Sequence, residues 1–157
     1  MENHPQIRDR AIKRTEFLAR HDAVINDLHM VGLKLIIKDF ETQTTAAETT
    51  SLVFGTNIGQ SSISKALSHG KSVAKIHIQL ALAYQEFREC AMTTDCFKAI
   101  QRYHGIFPRH HQLCEHIESG TPLLYRGGYQ TGGTVRLITV DVEGVEHHYK
   151  PDELEFF

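Results

Sequence analysis

The chain has 157 residues, 41% hydrophobic and 23% charged, which is the composition of a globular protein long enough to bury its own core. No long apolar run is present, which excludes a membrane-spanning helix, and the charged N-terminus lacks the apolar segment of a secretory signal. We therefore expect a cytoplasmic protein. Its three cysteines, Cys90, Cys96 and Cys114, have no framework spacing and are expected to be reduced thiols.

The net charge of −2 argues against strong unaided attraction to nucleic acid, but the charges are unevenly distributed. Basic residues outnumber acids in the first 20 residues and again over residues 61–109, whereas acids are concentrated after Leu113. A basic middle can bind a phosphate backbone on one face while the total charge stays low. Solvated charge without a partner is the alternative interpretation.

Helical spacing of apolar residues recurs along the first two-thirds of the chain. Pro5 suits a first helical turn, Ser72 and Thr93 to Asp95 suit helix starts, and Gly105 suits a helix end. The sequence predicts helices that begin at Pro5, Val24, Thr45, Ser72 and Thr94, and a further short helix from Pro108 that ends at Gly120.

The stretch 32–70 has the strongest functional signal, because two helix-turn-helix frames fit it. In the first frame a helix over residues 24–40 ends at the polar run 41–45. The segment TAAE at 45–48 has the spacing of a capping box, which would start a second helix through Val53.

In the second frame five apolar residues take the buried positions of the motif and Asn57 lies in the turn, where a left-handed backbone tolerates Asn. Gly55 would then lie inside the first helix, at a cost of about 1 kcal/mol relative to Ala. An ordinary helical pair with a Ser-rich loop is the alternative to both frames. The buried set is Leu52, Val53, Ile58, Ile63 and Ala66, and the residues expected to face the major groove are Gln60, Ser61, Ser62, Ser64 and Lys65.

After Gly120 the composition changes to glycine and β-branched residues. The run GGYQTGG is expected to be a flexible turn, followed by a strand over 135–142, a turn signal at Glu143-Gly144 and a return strand to Tyr149. The sequence therefore predicts a mainly α fold. It consists of a helical bundle domain over residues 1–120, with the helix-turn-helix-like segment 32–70, and a small β-hairpin tail over 121–157.

Eleven histidines suggest a metal hypothesis, above all in the segment 104–116. On a helix His110 and Cys114 would share a face, and Cys90 or Cys96 could supply further zinc ligands. The paired CxxC spacing that makes a zinc site specific is missing, so we assign no metal and no cofactor. A GxxxxGK loop and a GxSxG elbow are also missing, and we expect no enzymatic activity.

Several segments occur in a fixed order: GLKL at 32–35 with ETQ at 41–43, GQSSISKAL at 59–67, Ile76-His77 with Tyr84 and Phe87, KAI at 98–100 with Tyr103, and ESG at 118–120 before Gly132-Gly133. In this order they resemble the FlhC family, whose members form the flagellar master activator with FlhD. The resemblance implies a DNA-binding transcription activator subunit that assembles with an FlhD-like partner and contacts RNA polymerase.

The resemblance favours the first helix-turn-helix frame and makes residues 61–65 a loop contact. That family binds zinc through two cysteine pairs. In their places this chain has GGYQT at 127–131 and HHYKP at 147–151. The chain is therefore expected to contain no zinc, and its promoter targets cannot be inherited from the flagellar system.

We predict a DNA-binding activator subunit that acts in a hetero-oligomer on double-stranded DNA. A helical adaptor that binds only protein is the alternative, supported by the near-neutral net charge, and a metal-dependent enzyme is the third hypothesis. The predicted phosphate contacts are Lys34, Lys38, Lys65, Arg88, Lys98 and Arg102, and Ser61 and Ser62 are predicted to lie near the bases.

Overall fold

The computed structural model describes residues 4–55, 58–88, 94–106 and 108–157, with side chains described from residue 8 except at 87–88 and 94–97. None of the helices in these ranges combines the length and apolar character that a membrane span requires. The helices are α1 (His4–Arg20), α2 (Asp22–Asp39), α3 (Gln43–Phe54), α4 (Gln60–His69), α5 (Val73–Arg88) and α6 (Thr94–His104), and the strands are β1 (Leu113–His116), β2 (Pro122–Thr131), β3 (Thr134–Val140), β4 (Glu146–Tyr149) and β5 (Leu154–Phe156).

Capping residues define the ends of α3 and α4. Thr42 is the N-cap of α3 and its hydroxyl accepts a hydrogen bond from the backbone N–H of Thr45, so Thr42 caps this helix and the predicted box at 45–48 is wrong. Gly55 ends α3 in the left-handed conformation at φ 63°, and Gly70 ends α4 in the same way. Helices α2 to α5 enclose one apolar core that includes Leu33, Ile36, Phe40, Ile63 and Leu80.

The five strands form one antiparallel sheet in the order β4-β3-β2-β1-β5. The pairing of β2 with β3 is closed by the two-residue turn Gly132-Gly133, whose φ angles of 55° and 83° suit glycine. The predicted hairpin across Glu143-Gly144 is confirmed as β3–β4. A register shift between Tyr125 and Gly127 interrupts the β2–β3 ladder.

The prediction of a mainly α fold with a small hairpin tail is wrong, because the described residues form a five-stranded sheet as well as six helices. The predicted helix from Pro108 to Gly120 is instead a turn with His111 at φ 61°, followed by β1. Residues 127–131 lie in β2 and 154–156 form β5. Short apolar runs do not distinguish helix from strand. The three-residue strand β5 pairs only with β1, far away in sequence, and β1 lies between β5 and the following strand β2.

The helical core and the sheet meet through α2, α6 and the N-terminal helix. Helix α6 packs on β2 and β3, and Ile100 is buried among Leu123, Tyr125 and Leu137. Gly32 on α2 permits the closest approach: a Cβ there would overlap the imidazole of His77 and lie 2.7 Å from Leu124 Cδ1. Glycine at this position therefore brings α2, α5 and β2 together around a buried histidine.

Candidate functional site

Helices α3 and α4 follow one another after a short connection and pack together, and α4 has one polar, exposed side. Ile58 lies in the turn, where its backbone N–H donates to Ser51 Oγ at 3.3 Å, and the Ser51 hydroxyl donates to the Ile58 carbonyl at 3.3 Å. Ile63 and Ala66 bury one side of α4. Two side-chain bonds fix the start of α4 to the start of α3: Thr44 to Gln60 at 3.3 Å and Ser64 to Gln43 at 3.0 Å.

A basic groove lies between α4 and α5, with a volume of about 390 Å³. Three lysines and two serines line it, and acidic side chains are missing from its lining within the described part of the chain. Ammonium and hydroxyl groups are the donors that proteins use toward phosphate oxygens. We call it the lysine groove; its polar lining consists of Ser62, Lys65, Lys71, Ser72, Lys75 and Gln79.

The predicted DNA contacts are distributed over several surfaces. Ser62 and Lys65 line the lysine groove, and Ser61 is exposed on the same helix. Because residues 61–65 belong to α4, the expectation that they form a loop is wrong. Lys34 and Lys38 are exposed on α2, and Lys98 and Arg102 are exposed on α6, which packs on the sheet; none of these four lines the groove, and the Arg88 side chain lies outside the described residues.

The predicted buried set of the second frame is found only in part. Ile58, Ile63 and Ala66 are buried, whereas Leu52 is 82% exposed. Gly55 terminates α3 and does not lie inside it, so the predicted helical cost of that glycine does not arise. Asn57, placed in the turn by the sequence, lies outside the described residues.

A second site is buried between the helices and the sheet, where three histidines form a hydrogen-bonded chain. His29 Nδ1 lies 2.8 Å from His77 Nδ1, and His77 Nε2 lies 2.7 Å from His111 Nδ1. Arg126 continues the chain, with its guanidinium nitrogen 2.9 Å from His111 Nε2. These residues come from α2, α5, β2 and the turn before β1, so only the folded chain assembles them.

Arg126 determines which atom donates and which accepts in each hydrogen bond of this chain. A guanidinium can only donate, so His111 Nε2 accepts and the His111 proton is on Nδ1. His111 therefore donates to His77 Nε2, and His77 donates from Nδ1 to His29 Nδ1. All three rings are assigned as neutral on this hydrogen-bonding pattern.

Burial supports the same protonation states. Burial is the main cause that lowers the pKa of His77 to about 3, and it lowers the pKa of His111 well below its ordinary value and that of His29 as well. Nearby positive groups, including Arg14 for His29 and Arg126 for His111, act in the same direction. The histidines are therefore uncharged bases at neutral pH.

Asp39 and His110 complete this buried site. Asp39 Oδ2 lies 2.6 Å from the Arg126 guanidinium and 3.8 Å from His110 Nε2. Burial alone would raise the pKa of Asp39, but His110 and Arg126 more than offset it, so the pKa lies below its ordinary value. Both ring nitrogens of His110 are buried without a hydrogen-bond partner in the described structure. We call Asp39, His110, His111 and Arg126 the Asp-His-Arg cluster.

No family model, curated protein or solved structure matches this chain. The resemblance to the FlhC family therefore stays a hypothesis, and the sites are interpreted from their geometry.

The histidine and cysteine side chains of segment 104–116 do not come together in one metal site, as they would if the segment were a helix. His104 Nε2 donates to the Pro151 carbonyl at 2.6 Å, and His116 contacts Ser119. Cys114 is fully buried in the apolar core, and burial raises the pKa of its thiol. Among the described residues of this segment, His110 and His111 lie close enough to Asp39 to share a metal ion with it.

Sequence reasoning missed Asp39, Arg126 and the two helical histidines. A signal for the histidines exists: His77 lies four residues after Val73 and three before Leu80, on the apolar face of α5. His29 similarly follows the buried Leu28 on α2. Asp39 and Arg126 are 87 residues apart and carry no local signal of their contact.

Proposed function

We propose that this protein is a DNA-binding subunit of a transcription activator, with α4 as the helix presented to DNA and the lysine groove as the phosphate contact. The observation that supports the proposal best is the convergence of Lys65, Lys71 and Lys75 around one groove beside exposed α4. The net charge of −2 stays compatible with it, because the positive charge is concentrated locally. Activity of this kind belongs in the cytoplasm, as the sequence leads us to expect.

Helix α4 suits DNA better than α3 does. Its exposed residues Ser61, Lys65 and Ser68 lie at helical spacing along one side. Hydroxyl and ammonium groups there can reach base edges and phosphates. Helix α3 has no Lys or Arg, its charged residue is Glu48, and it exposes Leu52 and Phe54. The second helix-turn-helix frame is therefore our proposal, although the family resemblance favours the first.

A protein partner is the second part of the proposal, and exposed Leu52 is the observation that favours it. Leu52 lies on α3 beside a shallow apolar groove of about 620 Å³ lined by Ala47 and Ile58. Exposed apolar surface of this kind is typical of protein contacts. Following the family resemblance, we propose an FlhD-like helical subunit as the partner and RNA polymerase as a further contact of the assembled activator.

The DNA interface is tested by measuring retention on double-stranded DNA as a function of salt. Phosphate contacts release counterions, so log affinity falls as log salt concentration rises. Each contact that is lost makes this slope less steep by about 0.9. We expect the Lys65→Ala/Lys71→Ala double variant to bind more weakly across DNA sequences and to lose close to two such contacts.

The matched control removes two positive charges from α6 and leaves the lysine groove unchanged. Lys98→Ala/Arg102→Ala changes two exposed cations on α6, away from the groove, and is expected to leave the salt slope close to that of the unmodified protein. A reversed result, with the α6 pair altering the slope and the groove pair not, would move the interface to α6. Absence of salt-dependent retention in the unmodified chain, with and without its co-expressed partner, would favour the protein-only adaptor.

A further inference from the structure

The Asp-His-Arg cluster places three potential metal ligands in one place. One oxygen of Asp39 and one ring nitrogen each of His110 and His111 lie within 4.8 Å of one another. The His110 side chain is only 5% exposed and both of its ring nitrogens lack a hydrogen-bond partner in the described structure. An unsatisfied buried imidazole costs stability, and a metal ion bound to Nε2 removes part of that cost.

We propose that Asp39, His110 and His111 bind a divalent transition-metal ion of the zinc class. Two imidazoles and one carboxylate form a ligand set used by Zn²⁺ and Fe²⁺ in proteins. This site lies apart from the lysine groove, which is lined by other residues of α4 and α5. It also differs from the sequence expectation of no metal, because Asp39 comes from α2, far from the histidine-rich segment.

The ligand geometry needs only a small adjustment. A zinc ion about 2.1 Å from each ligand holds adjacent ligand atoms roughly 3–3.5 Å apart. The Asp39 Oδ2 to His110 Nε2 distance is 3.8 Å, and the largest separation in the set is within 4.8 Å. The ligand atoms must therefore approach one another by at most about 1.8 Å to reach the separations of a zinc site.

The histidine chain prepares His111 for this role. Its proton is on Nδ1, donated to His77, so the Nε2 lone pair faces Arg126 and Asp39. Metal-binding histidines in proteins commonly donate their other N–H to a hydrogen-bond acceptor, which fixes the ring orientation, and His77 Nε2 is that acceptor here. A cavity of about 30 Å³, lined in part by His29, His110 and His111 but not by Asp39, is large enough for one water molecule beside these rings.

Arg126 competes with the metal ion. Its guanidinium lies between Asp39 Oδ2 and His111 Nε2, bonded to both, and so provides the positive charge that an ion would provide. The Asp39 and Arg126 side chains are each 21% exposed, so this side of the cluster reaches solvent and the arginine can turn outward. Metal binding therefore requires exchange of one cation for the other.

The test is a Zn²⁺ titration by calorimetry, together with melting temperature measured with zinc and with chelator. We expect one ion per chain and a melting temperature that rises with zinc, because a ligand that binds only the folded state stabilises it. Arg126→Ala should bind Zn²⁺ at least about tenfold more tightly, since removal of the guanidinium frees both ligands. Asp39→Asn should bind at least about tenfold more weakly.

His110→Phe separates a metal ligand from a packing residue. The phenyl ring keeps the contact with Tyr84, whose ring centroid lies 5.3 Å from that of His110, and removes two unsatisfied nitrogens. In chelator the variant should melt no lower than the unmodified protein, yet zinc should no longer raise its melting temperature. Co²⁺ absorption should likewise be lost.

A surface histidine supplies the control for nonspecific zinc. His148→Ala removes an exposed histidine on β4, whose ring contacts Glu146 and Tyr129, and should retain the calorimetric site. The proposal is overturned if zinc binding survives in His110→Phe and disappears in the β4 variant. It is equally overturned if neither the unmodified protein nor Arg126→Ala binds one zinc ion per chain.

Discussion

At the scale of single residues, the buried histidines depend on one arginine and one glycine. Arg126 determines which nitrogen of His111 carries the proton, and the order of donors then passes through His77 to His29. Gly32 makes room for His77, since no side chain fits between α2 and that ring. Position 126 therefore needs a side chain that can only donate hydrogen bonds, and position 32 needs a residue without a side chain. Neither requirement can be inferred from the neighbouring residues in sequence.

We predict that Gly32→Ala destabilises the protein by about 1–3 kcal/mol, the usual cost of an added methyl group in a packed core. The new Cβ would overlap His77 and crowd Leu124. This loss should exceed the gain of about 1 kcal/mol that alanine brings to a helix. Urea unfolding measures the difference.

Asn26→Ala is the control for Gly32→Ala, because Asn26 is exposed on the same helix. It should leave stability unchanged or slightly raised, as alanine favours the helix. If Gly32→Ala were as stable as this control, the close approach of α2 to α5 and β2 would be incorrect.

At the scale of elements, the β3–β4 connection is organised by one carboxylate. Asp141 Oδ1 accepts from the backbone N–H of Glu143 at 2.9 Å and of Val145 at 3.0 Å, and Oδ2 lies 2.8 Å from His147 Nε2. Burial alone would raise the pKa of Asp141, but the bonds from His147 and the two backbone groups lower it below its ordinary value. Because its folded pKa is lowered, the carboxylate stabilises the hairpin fully above the unfolded pKa of about 3.9.

We predict that this contribution disappears as pH falls through the folded pKa of Asp141, which lies below the unfolded value. Asp141→Asn should lower the free energy of unfolding at neutral pH by about 1 kcal/mol, typical of a lost hydrogen bond. It should also weaken the loss of stability between neutral pH and about pH 3, measured by urea unfolding at each pH.

Glu143→Gln changes a carboxylate in the same turn and provides the matched control. Its side chain is exposed, and its backbone N–H, which the substitution keeps, makes the bond to Asp141. An equal change in both variants would show that general charge, and not the Asp141 bonds, determines the acid response.

At the scale of the whole molecule, α1 and α2 pack against the sheet, whereas α3 and α4 each bury one side in the helical core and expose the other. Leu113 and Leu124 of the sheet region are buried with Phe17 of α1 and Leu28 of α2. By contrast, α3 exposes Leu52 on the side opposite its buried Ala46 and Thr50. Exposed Leu52 and Phe54 therefore give α3 an apolar surface that is available for binding.

We predict that the isolated chain self-associates through the exposed apolar side of α3 and that Leu52→Lys reduces this association. The same substitution should weaken capture of a co-expressed FlhD-like partner, because a charge would be desolvated at the contact. Light scattering measures the first effect and co-purification the second. Exposed Ile78 on α5, changed to Lys, is the control.

Unchanged association in Leu52→Lys and a loss in Ile78→Lys would place the contact on α5. A well-behaved monomer that binds specific DNA at full strength alone would exclude an obligatory partner. In that case the lysine groove can still bind DNA, because its lysines are not part of the apolar groove on α3; the two surfaces share Ile58 and otherwise use different residues.

The sequence by itself determined α1, α2, α3, α5, α6 and one hairpin, but it left α4 open and predicted a helix over 108–120 that the structure does not contain. The apolar spacing of α5, the helix end at Gly105 and the turn at Glu143-Gly144 depend on interactions within a few residues, which the order of amino acids contains directly. The polar exposed side of α4 was predictable for the same reason. The fold class was not, since β1 and β5 are short strands stabilised by partners elsewhere in the chain.

Only the tertiary structure decided the buried site. His29 and His77 are 48 residues apart, and Asp39 and Arg126 are 87 apart, so no local pattern brings them together. The turn at His111 separates His110 and His111 from Cys114 and His116, which the sequence had grouped on one helix. Long-range packing around Gly32 and the β-sheet brings these polar groups into one cluster, whereas sequence periodicity specifies only which face of each element is buried.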